Sequence, residues 1–333
     1  MRREPSAFTW LRRNLTETVT PRGRLRPNLY RLDVKDWILF EPSTAHLQKK
    51  HEIFQSPSRD KHLIQSKGCL GPQHEVLELL LDYLPQRYPE NFQVAAVPSL
   101  GSKYGPDTTI TLHAADWQME YRVGDFAHFP LELASRLVLE DLVIVEDGTV
   151  VAGSVLFSFT RFHERFGMNM EQIHSKVPQY QNDLEKPVAK VFATLRDDRP
   201  MWRSNWNVSW SDDIMAGYSR YPHRNQGIST AERNLLFEEL KYKIGQKGLA
   251  ESAWLKVEYQ TLRRLCHHPS SVLFTIRTFI NSFQELESEP LAAKALLQNM
   301  DRLQHTEFKK YIGIDDVDLF QTLRSFVQDA CVE

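Results

Sequence analysis

Three segments between residues 202 and 279 alternate polar and apolar side chains with the period of a β-strand, and this pattern constrains the fold most. In residues 202–210, one face of the predicted strand carries Trp202, Trp206, Val208 and Trp210. The opposite face carries Arg203, Asn205 and Asn207. In residues 255–262, Val257 and Tyr259 oppose Lys256, Glu258 and Gln260. Residues 271–279 form the third segment. We therefore expect one sheet, with both faces at least partly covered.

The remaining patterns place a hairpin and several helices around these strands. Strands over residues 142–145 and 150–157 are joined by a turn at residues 146–148. Helical periodicity covers residues 72–84 (with Pro85 as the expected stop), 130–139, about 182–195, and the chain from about residue 283 onward. Residues 211–252 are polar, which is typical of an insertion between strands. The sequence predicts an α+β fold, an antiparallel sheet flanked by helices with N- and C-terminal helical elaborations.

Composition and charge exclude several classes of protein. The chain has 333 residues, 41% hydrophobic and 25% charged, and a formal net charge of −2. A protein that binds nucleic acid or a membrane surface through charge would carry a basic excess. The best apolar block, residues 129–145, is interrupted by four charged residues, so no membrane span is expected. The cysteines, Cys69, Cys266 and Cys331, are scattered and odd in number. This argues against a disulfide framework, a zinc ribbon or an iron–sulfur cluster, and favours a reducing compartment.

Arginine is frequent at the N-terminus. Basic side chains there are Arg2, Arg3, Arg12, Arg13, Arg22, Arg24 and Arg26. A mitochondrial presequence is one interpretation, but two prolines and two acidic residues weigh against it. We interpret residues 1–24 as a solvated or docking extension that precedes a single domain over residues 25–333. The expected compartment is the cytoplasm, with the mitochondrion as the alternative.

Common catalytic motifs are weak. The Cys-His-His run at residues 266–268 has no second Cys or His pair spaced to complete a tetrahedral metal site, and a polar hairpin turn accounts for it. The Gly-Ser pairs at residues 101–102 and 153–154 lack the Gly-x-Ser-x-Gly frame of a nucleophile elbow. The chain also lacks a Gly-rich phosphate loop. These observations disfavour a zinc protein, a hydrolase and a nucleotide-binding fold.

Glu258 and Arg277 are charged residues inside predicted strands. They are either a buried ion pair or part of an exposed face. Alternatively, they line a pocket in which the carboxylate matches a cationic amine and the guanidinium matches an anion. The strand pattern leaves all three interpretations open.

His174 shares one face of a short predicted helix with Met170 and Ile173, and residues 177–178 (Val-Pro) end that helix. A histidine in this position is either a core residue with a partner or a ligand that points into a cavity. A neutral imidazole is a common axial ligand of haem iron, because one ring nitrogen binds iron while a neighbour holds the other N–H. On sequence alone, the competing histidines are His113, His128, His163 and His223.

Several motifs follow one another in a recognisable order. They are RPNLYRLDVKDW at residues 26–37, PLELASRLVLEDL at 130–142, VAGSVLF at 151–157, IHSKVPQY at 173–180, RSNW at 203–206, VEYQTLRRL at 257–265 and LFTIRTF at 273–279. In this order they resemble the haem-dependent oxidative N-demethylase α-subunit family over most of the chain from about residue 25. The resemblance implies a PAS-like fold, with a core at about residues 110–285. It also implies a b-type haem and oxidative removal of a methyl group from a small secondary or methylated amine, which releases formaldehyde.

The resemblance also implies roles for single residues. It assigns His174 as the ligand of the haem iron, and Arg203, Trp206 and Arg277 to the cofactor site. The two guanidiniums are expected either to pair with the haem propionates or to shape the pocket. Glu258 and Tyr259 are the expected catalytic residues, with Glu258 positioning a protonated amine or managing protons. The sequence departs from the family pattern at Tyr259, where arginine is usual, at Lys176, where proline is usual, and over residues 158–167.

The resemblance implies that electrons arrive from outside the chain. No flavin or nicotinamide motif is recognisable, so a reductase or ferredoxin-like partner that carries flavin or iron–sulfur groups is expected to supply them. Two alternatives stay open, a non-enzymatic haem-binding PAS-like sensor and a family member that has lost haem.

Overall fold

The computed structural model describes residues 6–14, 25–41, 45–158, 161–215, 229–303, 308–309, 312–314 and 316–332. In chain order its α-helices are α1 (Ala7–Asn14), α2 (Ala45–Phe54), α3 (Leu70–Arg87), α4 (Pro130–Leu137), α5 (Met170–His174), α6 (Glu185–Thr194), α7 (Thr230–Lys247), α8 (Pro290–Arg302) and α9 (Val317–Asp329). Its strands are β1 (Tyr30–Arg31), β2 (Leu63–Gln65), β3 (Phe92–Ala95), β4 (Thr109–His113), β5 (Gln118–Arg122), β6 (Asp141–Glu146), β7 (Thr149–Ser154), β8 (Met201–Ser209), β9 (Trp254–Arg264) and β10 (Ser271–Ser282). Within these ranges, no helix combines the length and apolar character needed to cross a bilayer.

One large antiparallel sheet organises the fold. Its strand order is β1-β8-β9-β10-β6-β7-β2, and a smaller antiparallel sheet has the order β3-β4-β5. The long central strands β8, β9 and β10 are the three segments whose alternation the sequence reveals. The α+β class with a large antiparallel sheet is therefore confirmed.

The register of the central strands separates their side chains into two faces. Asn205 pairs with Glu258, which in turn pairs with Thr278, so these three side chains form one row across β8, β9 and β10. Because successive side chains along a strand point to opposite faces, Tyr259 and its partner Arg277 belong to the other side. We call the side with Asn205, Glu258 and Thr278 the polar face, and the side with Tyr259 and Arg277 the core face.

The core face packs against the main hydrophobic core of the protein. Val257, Leu273 and Phe283 belong to one buried cluster with apolar residues of α3, α4, α8 and α9. The N-terminal helix α1 also contacts this face, because the ring of Trp10 stacks on that of Tyr259 at a centroid distance of 3.9 Å. Residues 7–14 therefore dock on the sheet, whereas residues 15–24 of the expected extension lie outside the described residues.

The polar face is covered by the chain that links β7 to β8. Val143 and Val145 pack with Phe162, Met170 and Ile173 in a second apolar cluster. Leu262 and Val272 form a third cluster with Leu195 and partly buried residues of α6. Residues 161–195 are thus held against this face by apolar contacts with β6, β9 and β10 near the turn between β9 and β10. The polar row lies on the same face but further along the strands, because Thr278 is four and six residues from Phe274 and Val272, the partners of Val143 and Val145.

Two details of the predicted helices are wrong. Helix α3 passes Pro85 and ends at Arg87, because a proline near the end of a helix removes only one backbone hydrogen bond there. The polar stretch between β8 and β9 also contains helix α7, which begins with a capping box formed by Ser229 and Glu232. The Ser-x-x-Glu spacing was the signal for this helix.

Candidate functional site

Phe162 anchors the segment that covers the polar face. Its side chain is 2% exposed and belongs to the apolar cluster of β6 and β7. Gly153 of β7 makes room for it, because a Cβ atom at this position would overlap the Phe162 ring. The glycine thus permits a close approach of residues 161–174 to the sheet.

Replacing Gly153 with Ala is expected to destabilise the protein by about 1–3 kcal/mol, because the added methyl group overpacks a buried site. Urea unfolding measures this difference. Gly148→Ala is unsuitable as a control because its φ is +79°. Gly245→Ala is the control, because a Cβ atom at this exposed position of helix α7 has nothing within 4 Å, and no loss of stability is expected. An unchanged midpoint for Gly153→Ala would show that Phe162 is free to move away.

Helix α5 fixes the position of His174. A capping box starts this short helix: the Asn169 side chain accepts from the backbone N–H of Gln172, and the Gln172 side chain accepts from that of Asn169. At the last position of the helix, Nδ1 of His174 donates to the carbonyl oxygen of Met170 at 2.7 Å. Since a carbonyl only accepts, the proton is on Nδ1 and Nε2 carries the lone pair. This Nε2 forms no hydrogen bond with the part of the chain that the structure describes.

The phenol ring of Tyr180 packs against one face of the His174 imidazole. The ring stacks on His174 with centroids 4.8 Å apart and an angle of 4° between the planes. A π-helical stretch, Tyr180–Leu184, begins at this residue, and Gln179 before it has a φ of +59°. π-Helices are rare, and a positive φ is uncommon for a residue other than glycine. Both features often occur at functional sites. The backbone here is bent so that the phenol ring covers one side of the histidine.

Positive charges lie close to His174. Burial lowers the pKa of His174 below its ordinary value, and the charges of Arg203 and Arg165 lower it further, while the hydrogen bond to Met170 opposes them. The imidazole is therefore neutral at pH 7, as a metal ligand must be. Arg165 belongs to the covering segment and Arg203 to β8. The effect of Arg203 on His174 shows that this part of the sheet lies close to helix α5.

A row of oxygen atoms crosses the polar face. Glu258 is 5% exposed, and Nε2 of Gln260 donates to its Oε2 at 3.0 Å. Among the residues that the structure describes, no basic side chain forms an ion pair with Glu258. On either side of it, Oδ1 of Asn205 and Oγ1 of Thr278 are buried without a hydrogen-bond partner in the described chain. Buried polar atoms rarely lack partners, so this row has the character of a binding site.

Three of the residues expected at the site lie on the core face. Trp206 is 9% exposed within the main core. The hydroxyl of Tyr259 donates to the carbonyl oxygen of Asp36 at 2.8 Å. Arg277, 2% exposed, pairs with Glu41 at 2.9 Å. Arg203 and Glu258 of the sheet and His174 of helix α5 therefore lie on the polar-face side, whereas Trp206, Tyr259 and Arg277 lie on the core face. Glu258 and Arg277 are both buried, but they do not form a pair with each other.

Arg277 belongs to a group of buried charges that the sequence did not reveal. The Lys50 side chain donates to the carbonyl oxygens of Val138 and Glu140 at 3.0 and 2.7 Å, and burial lowers its pKa to about 8. Burial raises the pKa of Glu140, whereas the nearby charge of Arg277 lowers it. Helix α2, which contributes Lys50, lies far from β10 in sequence. Only the fold shows that these groups meet.

The Cys-His-His run and the competing histidines differ from His174 in their surroundings. Glu75 accepts hydrogen bonds from the backbone N–H groups of residues 266–267 and pairs with His268, so the Cys-His-His run is a capped hairpin turn. His128 and His163 are exposed, His113 belongs to the small sheet, and His223 lies outside the described residues. Over the described ranges, no group of three or more His, Cys, Asp or Glu residues is arranged to hold a metal ion. A haem needs only one such ligand from the protein on one side.

Comparison with known families agrees with the order of motifs in the sequence. A family model described as haem-dependent oxidative N-demethylase, alpha subunit-like, matches residues 28–318. The match includes both faces of the large sheet, helix α5 and the polar row. It covers most of the 333 residues and confirms the resemblance. The chain therefore belongs to the haem-dependent oxidative N-demethylase, alpha subunit-like family.

Proposed function

We propose that this protein is a haem-dependent monooxygenase-type N-demethylase that removes a methyl group from a small secondary or methylated amine and yields the shorter amine and formaldehyde. The observation that carries the proposal is the tautomer of His174 and the position of its Nε2 atom. Its Nδ1–H is committed to the Met170 carbonyl, so Nε2 is the available donor atom on a segment that covers the polar face. The proposal assigns a PAS-like pocket to this face and to residues 161–195.

The residues present fit a haem. His174 would bind the iron through Nε2, with Met170 fixing the tautomer as a typical support of a metal-bound imidazole. Arg203 and Arg165 supply positive charge near this histidine, which suits the propionates of the haem. When bound, the haem would supply the redox-active iron at which dioxygen is used to oxidise the N-methyl group.

Glu258 is our candidate for binding the substrate. A buried carboxylate without a basic partner favours a cationic ligand, and alkylamines are protonated at neutral pH. Gln260 holds one oxygen of this carboxylate and so limits its rotation. The apolar cluster of Phe162, Met170 and Ile173 covers another part of the same face. The chain's own contribution is thus to bind and orient the ammonium group.

We further propose that the electrons come from a separate reductase or ferredoxin-like protein. The family description names an alpha subunit, which implies another component. The three cysteines are free and far apart in sequence, one just before α3, one in the β9–β10 turn and one after α9. With NADPH alone, the isolated chain is expected to show no turnover.

Formaldehyde release tests the proposed function. The full chain is reconstituted with haem and supplied with a surrogate reductant, dioxygen and a panel of methylated amines. A Soret band and formaldehyde from at least one amine are expected. Haem binding with no formaldehyde across the panel would favour the sensor alternative. A protein that does not bind haem would contradict both and favour the alternative of a member that has lost the cofactor.

Replacing Glu258 with Gln is expected to lower kcat/KM for the amine by roughly 10–100-fold, because the negative charge that strengthens the hydrogen bond to the ammonium group is lost while the shape is kept. Glu171→Gln, on the exposed side of α5, is the matched control and is expected to leave turnover unchanged. Equal turnover of Glu258→Gln and the native protein would remove Glu258 from the mechanism.

A further inference from the structure

The polar row contains more hydrogen-bond acceptors than one N–H group of a ligand can use. Asn205, Glu258 and Thr278 are direct cross-strand neighbours, so their Cβ atoms are separated by about 5 Å from one strand to the next. Thr278 is 2% exposed, and its hydroxyl lacks a partner within the described ranges, as does the amide oxygen of Asn205. All three side chains present oxygen atoms on one face of the sheet.

We propose that Asn205 and Thr278, together with Glu258, select the substrate by the number of N–H bonds on its ammonium group. This inference rests on the proposed function and names two residues that determine its specificity. A secondary ammonium ion carries two N–H bonds, so it donates one to Glu258 and the other to an oxygen of Asn205 or Thr278. A tertiary ammonium ion has a single N–H bond, which the carboxylate takes as the stronger acceptor.

The cost of an unused acceptor produces the selectivity. When a tertiary ammonium ion binds, a methyl group replaces the second N–H bond and faces the neutral oxygens. These buried oxygens then stay without a partner, which weakens binding more than the loss of one ordinary contact would. A site built to hydrogen-bond a group discriminates strongly against an analogue without it. The same reasoning predicts that a quaternary ammonium ion binds most weakly.

Equilibrium binding to the haem-reconstituted full chain tests this inference without any turnover. Isothermal titration with dimethylammonium, trimethylammonium and tetramethylammonium chloride gives three dissociation constants. The native protein is expected to bind dimethylammonium about tenfold or more tightly than trimethylammonium, the effect of one hydrogen bond to a charged group. Thr278→Val and Asn205→Leu are each expected to reduce this ratio, by weakening binding of dimethylammonium and not of trimethylammonium.

Thr275→Val is the matched control, because Thr275 is on the same strand but its hydroxyl bonds that of Thr261 on the core face at 2.6 Å. It is expected to leave the ratio unchanged. Thr278→Ser retains the hydroxyl and is expected to restore the native ratio, which separates recognition from folding. An unchanged ratio in both Thr278→Val and Asn205→Leu would overturn the inference, and the unpartnered oxygens would then bind only water.

The outcomes for binding and for turnover are independent. Formaldehyde release with an unchanged binding ratio in the variants would leave the proposed function in place and overturn the selection by Asn205 and Thr278. Selective binding of dimethylammonium without formaldehyde release would support the row as a recognition site and contradict the proposed demethylation.

Discussion

A protein in which His174 is replaced by Ala is expected to fold normally and to lose its haem. The side chain is only partly buried on a short helix that is held by Asn169 and by the apolar contacts of Met170 and Ile173, so removing the ring leaves the helix supported. The ligand itself is lost, and the fall in haem affinity should exceed the roughly 10–100-fold effect of removing a residue that only supports a ligand. Haem titration followed at the Soret band measures the affinity, and circular dichroism verifies the fold.

His163→Ala is the matched control, since this exposed histidine lies in the same covering segment. It is expected to bind haem as the native protein does. If His174→Ala retained native affinity and an unchanged Soret spectrum, the proposed ligand would be rejected and the proposed oxidative demethylation would lose its basis. If His163→Ala lost haem instead, the ligand would have to be sought at the other end of the segment.

Replacing Arg277 with Met is expected to destabilise the protein by about 3–5 kcal/mol, because Glu41 loses its buried cationic partner and Glu140 loses a nearby positive charge. Methionine keeps most of the side-chain volume, so the loss reflects charge more than packing. Urea unfolding followed by tryptophan fluorescence measures the free energy of unfolding. Haem affinity per folded molecule should change little, because Arg277 is on the core face.

Arg196→Met provides the comparison for this variant. Arg196 forms a bidentate pair with Asp198, and both side chains are more than half exposed. Such a surface pair contributes at most about 1 kcal/mol, so its loss should hardly shift the unfolding midpoint. Adding Glu41→Gln to Arg277→Met should recover part of the lost stability. A native midpoint for Arg277→Met alone would show that the buried charges are compensated in another way, and a selective loss of haem would return Arg277 to the cofactor.

The sequence predicted the faces of single strands but not how the strands meet. Alternation alone separated Trp206 from Asn205 and Glu258 from Tyr259, because side chains in a strand change sides at each residue. The register between β9 and β10 depends on tertiary pairing, so the sequence did not reveal that Thr278 joins the row of Glu258. Polar residues on one face of each strand were the available signal for this row.

Ion pairs between residues far apart in the chain could not be predicted from the sequence either. The partner of Arg277 is Glu41, which precedes helix α2 and belongs to no recognisable motif. By contrast, the short helix at His174 was predictable, because Met170, Ile173 and His174 follow helical spacing and residues 177–178 end the pattern. What the sequence could not show is the hydrogen bond from Nδ1 to Met170, which defines the tautomer of the ring.

The alternation of the central strands has a consequence for how such a chain can change during evolution. Glu258 and Tyr259 are consecutive residues, as are Arg277 and Thr278, yet each pair is divided between opposite sides. Deleting one residue within β9 would turn the carboxylate into the apolar interior and the phenol ring outward, unless the whole strand slipped. Point substitutions in the row change recognition and leave the interior intact. Relatives that accept new amines should therefore differ here by exchanges of side chains, with the lengths of β9 and β10 kept constant.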